Sequence, residues 1–153
     1  MSKILLKPIH RFNALVNSIP NAAILLVARL AAATPFWMSG QNKVVGWDIW
    51  NVTQSTVFLF EYEYDLPLIS PALAASAASI GEHVLPILLV LGLLTRIGAA
   101  GLIIMTLVIQ TFVYPEAWTV HLLWFAPLLL LMVRGGGSLS LDHLFGLDKP
   151  KTD

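Results

Sequence analysis

The sequence predicts an all-α membrane protein, a four-transmembrane-helix bundle with an interfacial segment between helices 1 and 2. Three observations predict it. Hydrophobic residues make up 57% of the 153 residues and charged residues only 12%, against about 25% charged in a soluble domain. The apolar residues gather into four runs, about 20–40, 71–94, 97–114 and 118–133, each near the ~20 residues that a spanning helix needs. Seven of the nine basic residues (Lys3, Lys7, Arg11, Arg96, Arg134, Lys149 and Lys151) fall at one set of helix ends, with only Lys43 on the opposite side. By the positive-inside rule, that pattern puts both termini on the cytoplasmic face.

Composition also excludes. Zero net charge offers no basic footprint for a nucleic-acid partner. With no cysteine, the chain itself can supply no disulfide, thiolate metal site or iron–sulfur ligand. The length suits one domain over residues 1–153. The start, MSKILLKPIHRFNALVNSIP, lacks a compact apolar core before a small-residue cleavage site, so it reads as a retained cytoplasmic end with a short amphipathic surface helix.

In order, the first span opens at Pro20, carries Arg29 as its only charge and contains Pro35. Residues 44–66 come next, where Trp47, Trp50, Val57, Phe58, Leu59 and Phe60 alternate with polar residues before EYEYD; Trp and Tyr place such a segment at the headgroup level. The second span, opening SPALAASAASIGEHVLPILL, holds Glu82 near its middle, with Ser79, Ala78 and Ala75 on the same face. Small residues suit helix contact, and an intramembrane carboxyl needs a protein partner. A tight Leu94-Thr95-Arg96 turn leads to the third span, which Pro115 stops, and the short fourth span runs to Gly135-Gly136-Gly137.

Counting from the cytoplasmic ends at ~1.5 Å per residue puts Glu82 at ~18 Å, Gln110 and His121 at ~20 Å and the Arg29 backbone at ~14 Å. Four spans thus each bring a polar group to one level. Thr106, Gln110 and Tyr114 share a face at i, i+4 and i+8, and Trp118, His121, Trp124 and Phe125 cluster on one side of the fourth span. Two readings compete. In the first, Arg29 and Glu82 form a structural ion pair, with Gln110 and His121 as hydrogen-bonding glue. In the second, Arg29 and Glu82 are a coupled catalytic pair, His121 joins them in proton exchange, and Gln110, Tyr114, Trp118, Trp124 and Thr106 line a ligand pocket. A quinone suits that pocket, its ring stacking on aromatic side chains and its carbonyls accepting hydrogen bonds. The spacing of Glu82, His83 and His121 matches no strong metal-ligand pattern, so no metal site is assigned. His83 reads as a packing histidine, and Trp37, Trp47, Trp50 and Tyr62 as interface anchors.

RLAAATPFWMSGQNKVVGWD, EYEYDLPLISPALAA, GEHVLPILLVLGLLTRIGAAGL and MTLVIQTFVYPEAWTVHLLWFAPLLLLMVRGGGSLSLDHL together resemble the DoxX family of small bacterial membrane proteins, over roughly Ala28 to Leu144. The resemblance implies a four-helix membrane fold in the bacterial inner membrane and, through some relatives, a subunit of a quinone-linked redox system active in stress. Other relatives assemble receptors without redox chemistry. Carried over by motif, it points to Arg29 and Lys43 around the first helix, Glu82 in the second, Thr95-Arg96 at the turn and Ser140-Leu141-Asp142 at the end. The family more often has an apolar residue where this chain has His83.

The leading expectation is therefore an accessory subunit that binds a quinone in the outer-leaflet half. Its electrons come from a membrane or periplasmic redox partner, because no flavin, nicotinamide, haem or iron–sulfur motif occurs in the chain. The alternative is a non-catalytic scaffold or assembly factor. Small-molecule or metal export ranks third and needs a homo-oligomer.

Overall fold

The computed structural model describes residues 3–148; Lys149 and Lys151, two of the basic residues in the topology pattern, lie outside the described residues. Helix α1 (Lys3–Asn17) is followed by α2 (Asn21–Gln41), and Pro20 in extended conformation opens α2. After the connection come a short antiparallel hairpin, β1 (Val44–Val45) and β2 (Asp48–Val52), a one-and-a-half-turn helix α3 (Gln54–Leu59) and a π-helical turn over Phe60–Tyr64. Helices α4 (Pro71–Leu91), α5 (Thr95–Val108, continued by a π-helical turn over Ile109–Val113), α6 (Trp118–Arg134) and α7 (Leu141–Leu144) complete the chain.

Three of these helices, Asn21–Gln41, Pro71–Leu91 and Thr95–Val113, are long and apolar enough to cross a membrane, and Trp118–Arg134 is a shorter apolar helix. Their contacts derive from residue size. Ala32, Ala33, Phe36 and Gly40 of α2 are buried, as are Ala74, Ala75 and Ser79 of α4. Small side chains let two backbones approach, which is how helices associate where lipid is as apolar as leucine. Leu89, Leu102, Leu128 and Leu131 fill the centre, and Phe36 meets Trp124 edge-on with ring centroids 5.5 Å apart.

The segment between α2 and α4, expected as an interfacial stretch, folds into the hairpin, α3 and π-turn that cap one end of the bundle. Hydrogen bonds fasten this cap: Ser79 Oγ donates to the Ile49 carbonyl at 3.1 Å, and Thr56 Oγ1 donates to the Lys43 carbonyl at 3.1 Å. Thr53 accepts from Thr56 N at 3.2 Å as the N-cap of α3.

The tail seals the opposite end. Gly92, at φ +67°, closes α4 in the left-handed conformation that favours glycine. The next helix begins at Thr95, two residues before the expected start, because Asp142 supplies its cap from far along the chain. Its carboxylate accepts from Leu94 N at 2.6 Å and Thr95 N at 2.8 Å. The Thr95 and Ser140–Asp142 motifs, 47 residues apart for the Thr95–Asp142 bond, are thus two halves of one joint.

Candidate functional site

Glu82 is 3% exposed, and its partner is Lys43, itself 6% exposed. Lys43 Nζ lies 2.7 Å from Glu82 Oε2 and hydrogen-bonds Oε1 at 3.1 Å. The same ammonium donates to Ser39 Oγ at 2.8 Å. Because an ammonium only donates, Ser39 accepts from it and directs its own proton to Glu82 Oε1, 3.2 Å away. Two donors thus converge on one carboxyl, which acts as an acceptor. Gly40 makes room: a Cβ there would stand 3.1 Å from Glu82 Cβ and 2.9 Å from His83 Cε1.

The expected pairing of Arg29 with Glu82 is therefore corrected. Arg29 Nη2 donates to the Leu139 carbonyl at 2.5 Å, and its Nε and Nη1 are buried without a hydrogen-bond partner among the described residues. The reason is the register of α2 against α4, with side-chain direction adding to it. The Glu82 backbone is level with Gly40, not with Arg29, and because each Cα–Cβ bond tilts toward its own N-terminus, the side chains of Arg29 on α2 and Glu82 on the antiparallel α4 lean further apart. Arg29 reaches Gly92 at the tail end, while Glu82 lies beside Gly40 at the cap end. Eleven residues of helix separate Arg29 from Gly40, roughly 16 Å of rise.

On the facing helices, His121 is 4% exposed and Gln110 6%. Gln110 Nε2 donates to the Pro115 carbonyl at 2.6 Å, and its Oε1 meets His121 Nδ1 at 2.6 Å. The Pro115 carbonyl is an acceptor only, so the amide nitrogen must face it and the amide oxygen must face the imidazole. That assigns a proton to Nδ1 and, in the neutral ring, leaves Nε2 as the acceptor. Nε2 makes no hydrogen bond among the described residues.

A cavity of about 410 Å³ opens between α2, α4, α5, α6 and the cap. Its walls are mostly apolar: Pro35, Phe36, Phe60, Leu66, Ile69, Ala74, Ala77, Ala78, Ile104, Met105, Val108, Ile109, Val113 and Trp124. Polarity enters through Ser39, Glu82, Tyr64, Tyr114 and His121. Of the expected site residues, Glu82, His121, Tyr114 and Trp124 meet here. Thr106, Gln110 and Trp118 instead line a separate pocket of about 120 Å³ on the other side of His121, and Thr106 Oγ1 donates to the Leu102 carbonyl of its own helix at 2.8 Å. The single stripe expected through Thr106, Gln110 and Tyr114 is broken by the π-turn at Ile109–Val113. A π-turn inserts extra backbone into the helix and rotates the residues beyond it, which brings Tyr114 to the large cavity.

At the cavity mouth, the Tyr114 hydroxyl donates to Glu63 Oε1, and the Tyr64 and Tyr114 rings meet edge-on at 5.9 Å. The hydrogen bond to Glu63 is the main cause that raises the Tyr114 pKa, with burial second. Burial is the main cause that raises that of Tyr64.

His83 stands outside this cavity, fully engaged. Its Nδ1 meets the Ser79 carbonyl at 2.7 Å, its Nε2 meets Gln41 Nε2 at 2.8 Å, and Trp37 packs edge-on at 5.3 Å. Trp37, expected as an interface anchor, thus packs against the bundle. Trp47, Trp50 and Tyr62 are exposed, as anchors would be.

Sequence reasoning from spacing missed Lys43, Ser39 and the Glu63–Tyr114 bond. Lys43 had two signals: it is the lone cation among Asp48, Glu61, Glu63 and Asp65, and the family resemblance pointed to it. Ser39 lies in the last turn of α2, four residues before Lys43, which follows the helix in the turn toward β1.

No curated protein and no solved structure matches this chain. The family model described as DoxX matches residues 24–121, more than half of the chain and a stretch that holds Arg29, Lys43, Glu82, Gln110 and His121. With its apolar helices, this membrane protein belongs to the DoxX family.

Proposed function

We propose that this protein is an integral inner-membrane accessory subunit of a redox system, holding a quinone or a similar lipid-soluble ligand in the large cavity. The observation that carries this reading is the cavity's composition. It is about 410 Å³ in volume and apolar-walled, with Glu82 and His121 presented from two different helices. Apolar walls with a few convergent polar groups are the usual small-molecule signature. The cavity has the volume for a ring, with Trp124, Tyr64 and Tyr114 on its walls, and an isoprenoid or alkyl tail can run out between helices into lipid.

A quinone takes up two electrons and two protons to become a quinol. Glu82 and His121 are the groups placed to exchange those protons, and a partner protein in or on the membrane supplies the electrons. Helix α6, at 17 residues, is the fourth span, near the short limit of a crossing helix. Arg96 and Arg134 lie at the tail end and the acids Asp48, Glu61, Glu63 and Asp65 at the cap end, so both termini are cytoplasmic and the cavity lies in the outer-leaflet half.

The test is mass spectrometry of the organic-extractable molecules that remain on the detergent-purified protein, with an Ala78→Trp variant that fills the cavity as control. A quinone near one per chain, lost in the variant, supports the reading. Phospholipid alone, equal in both samples, overturns it.

A second reading, a non-catalytic scaffold or assembly factor, is favoured by one observation: Trp47 and Trp50 on the hairpin are 78% and 73% exposed. It requires that Ala substitutions there impair function more than changes at His121.

A further inference from the structure

We infer that His121 and Gln110 make the cavity selective for ligands that donate a hydrogen bond, so that it binds a hydroquinone in preference to the matching quinone. The inference rests on the proposed function, in which a quinone-type ring occupies this cavity, and it adds which form is held.

The selectivity originates at a backbone carbonyl. Pro115 comes after the π-turn that ends the α5 helix, and its carbonyl can only accept. Gln110 Nε2 donates to it at 2.6 Å, which fixes the amide's orientation. The amide oxygen then faces His121 Nδ1 at 2.6 Å and requires a proton there. A neutral imidazole with Nδ1 protonated carries a lone pair on Nε2. Nε2 has no partner among the described residues, and His121 lines the cavity. The protein has therefore set this histidine as an acceptor.

The second polar group on the wall points the same way. Glu82 receives donors from Lys43 and Ser39, so Ser39 has already used its proton and this part of the wall presents an acceptor group and no free hydroxyl donor. Acceptors discriminate between the two redox forms, because a quinone carbonyl has no proton to give while a hydroquinone hydroxyl does. Donors do not discriminate: the Trp124 indole N–H and the Tyr64 hydroxyl can serve a carbonyl or a hydroxyl oxygen alike. The selection thus resides in His121 and is set through Gln110, a positioning residue that does not itself line the large cavity.

The experiment is anaerobic binding of a decyl-tailed benzoquinone and its hydroquinone to the detergent-purified full chain, followed by quenching of tryptophan fluorescence. One hydrogen bond made by one form and not by the other corresponds to about tenfold in affinity. The wild type should bind the hydroquinone about tenfold more tightly than the quinone. In Gln110→Leu, the imidazole is free to take either tautomer, and the ratio should fall to within about twofold of unity with quinone affinity retained. Nitrogen-15 NMR of histidine-labelled protein, with His121→Gln used for assignment, should show Nδ1 protonated in the wild type and a tautomer mixture in Gln110→Leu. Equal affinities for the two forms in the wild type, or tighter quinone binding, overturn the selectivity while leaving a quinone-type ligand in the cavity. Binding of neither form overturns the ligand reading as well.

Discussion

Lys43 Nζ stands 2.7 Å from Glu82 Oε2, joining the end of one apolar helix to the middle of another. Both side chains are buried. A buried pair contributes modestly when intact, but removing one partner strands the other charge, at about 3–5 kcal/mol. Lys43→Met should lower stability in detergent by roughly that amount, and Lys43→Met with Glu82→Gln should recover most of it. Thermal unfolding checks both. In a double-mutant cycle, Arg29 and Glu82 should couple by less than about 0.5 kcal/mol, as distant sites do.

At the opposite end, Gly92 leaves room for the Arg29 guanidinium. A Cβ on Gly92 would lie 1.9 Å from Arg29 Nη1 and 2.5 Å from Ser140 Cβ, in a backbone at φ +67°. Gly46 has a similar φ of +64° with open space around it. Both alanine variants bear the left-handed cost of roughly 1–2 kcal/mol, and only Gly92→Ala also bears the clash. Its unfolding transition should fall well below that of Gly46→Ala; equal shifts would show that the Arg29 packing is not as described.

Asp142 caps α5 through two backbone N–H groups. Asp142→Ala should cost about 1–2 kcal/mol, in line with the loss of a strong N-cap. Hydrogen exchange should quicken at Leu94 and Thr95 and stay unchanged at Thr56, which is capped independently at the other end of the molecule.

The Tyr114 hydroxyl gives a pH prediction. Its pKa is raised above the ordinary 10.0, chiefly by donating to Glu63. A folded-state pKa above the unfolded one contributes stability that is fully present below the unfolded value and is lost as pH rises past it. Stability should therefore decline above about pH 10. Glu63→Ala should move the phenolate absorbance of Tyr114 to lower pH and flatten that decline. An unchanged titration would separate Tyr114 from Glu63.

The positions of the apolar helices were legible because hydropathy and proline punctuation are one-dimensional signals. Runs expected at 20–40, 71–94 and 97–114 became helices Asn21–Gln41, Pro71–Leu91 and Thr95–Val113, each long enough to cross a membrane, and the run at 118–133 became the shorter apolar helix Trp118–Arg134. Glu82 and His121 could be singled out because a polar group in an apolar run needs a partner. The partner itself was not legible for Glu82: depth counting from assumed helix ends puts the Arg29 and Glu82 backbones at nearby levels, whereas α2 and α4 pack in a register that sets Glu82 beside Gly40. Nor does a strict 3.6-residue repeat foresee a π-turn, which is why Gln110 and Tyr114 were placed on one wall and belong to two. Lys43 escaped because it lies just past the span, where a lysine reads as solvated until the hairpin and α3 fold over it.

The most direct measurement is photo-crosslinking with a decyl-tailed quinone that carries a photoreactive group on its ring, followed by peptide mapping. A ligand seated beside Glu82 and His121 predicts labels on Ala78, Met105 and Ile109, competed away by excess unlabelled quinone and lost in Ala78→Trp. Labels confined to outward-facing residues such as Leu122 and Leu123, indifferent to competitor, would contradict a ligand in this cavity.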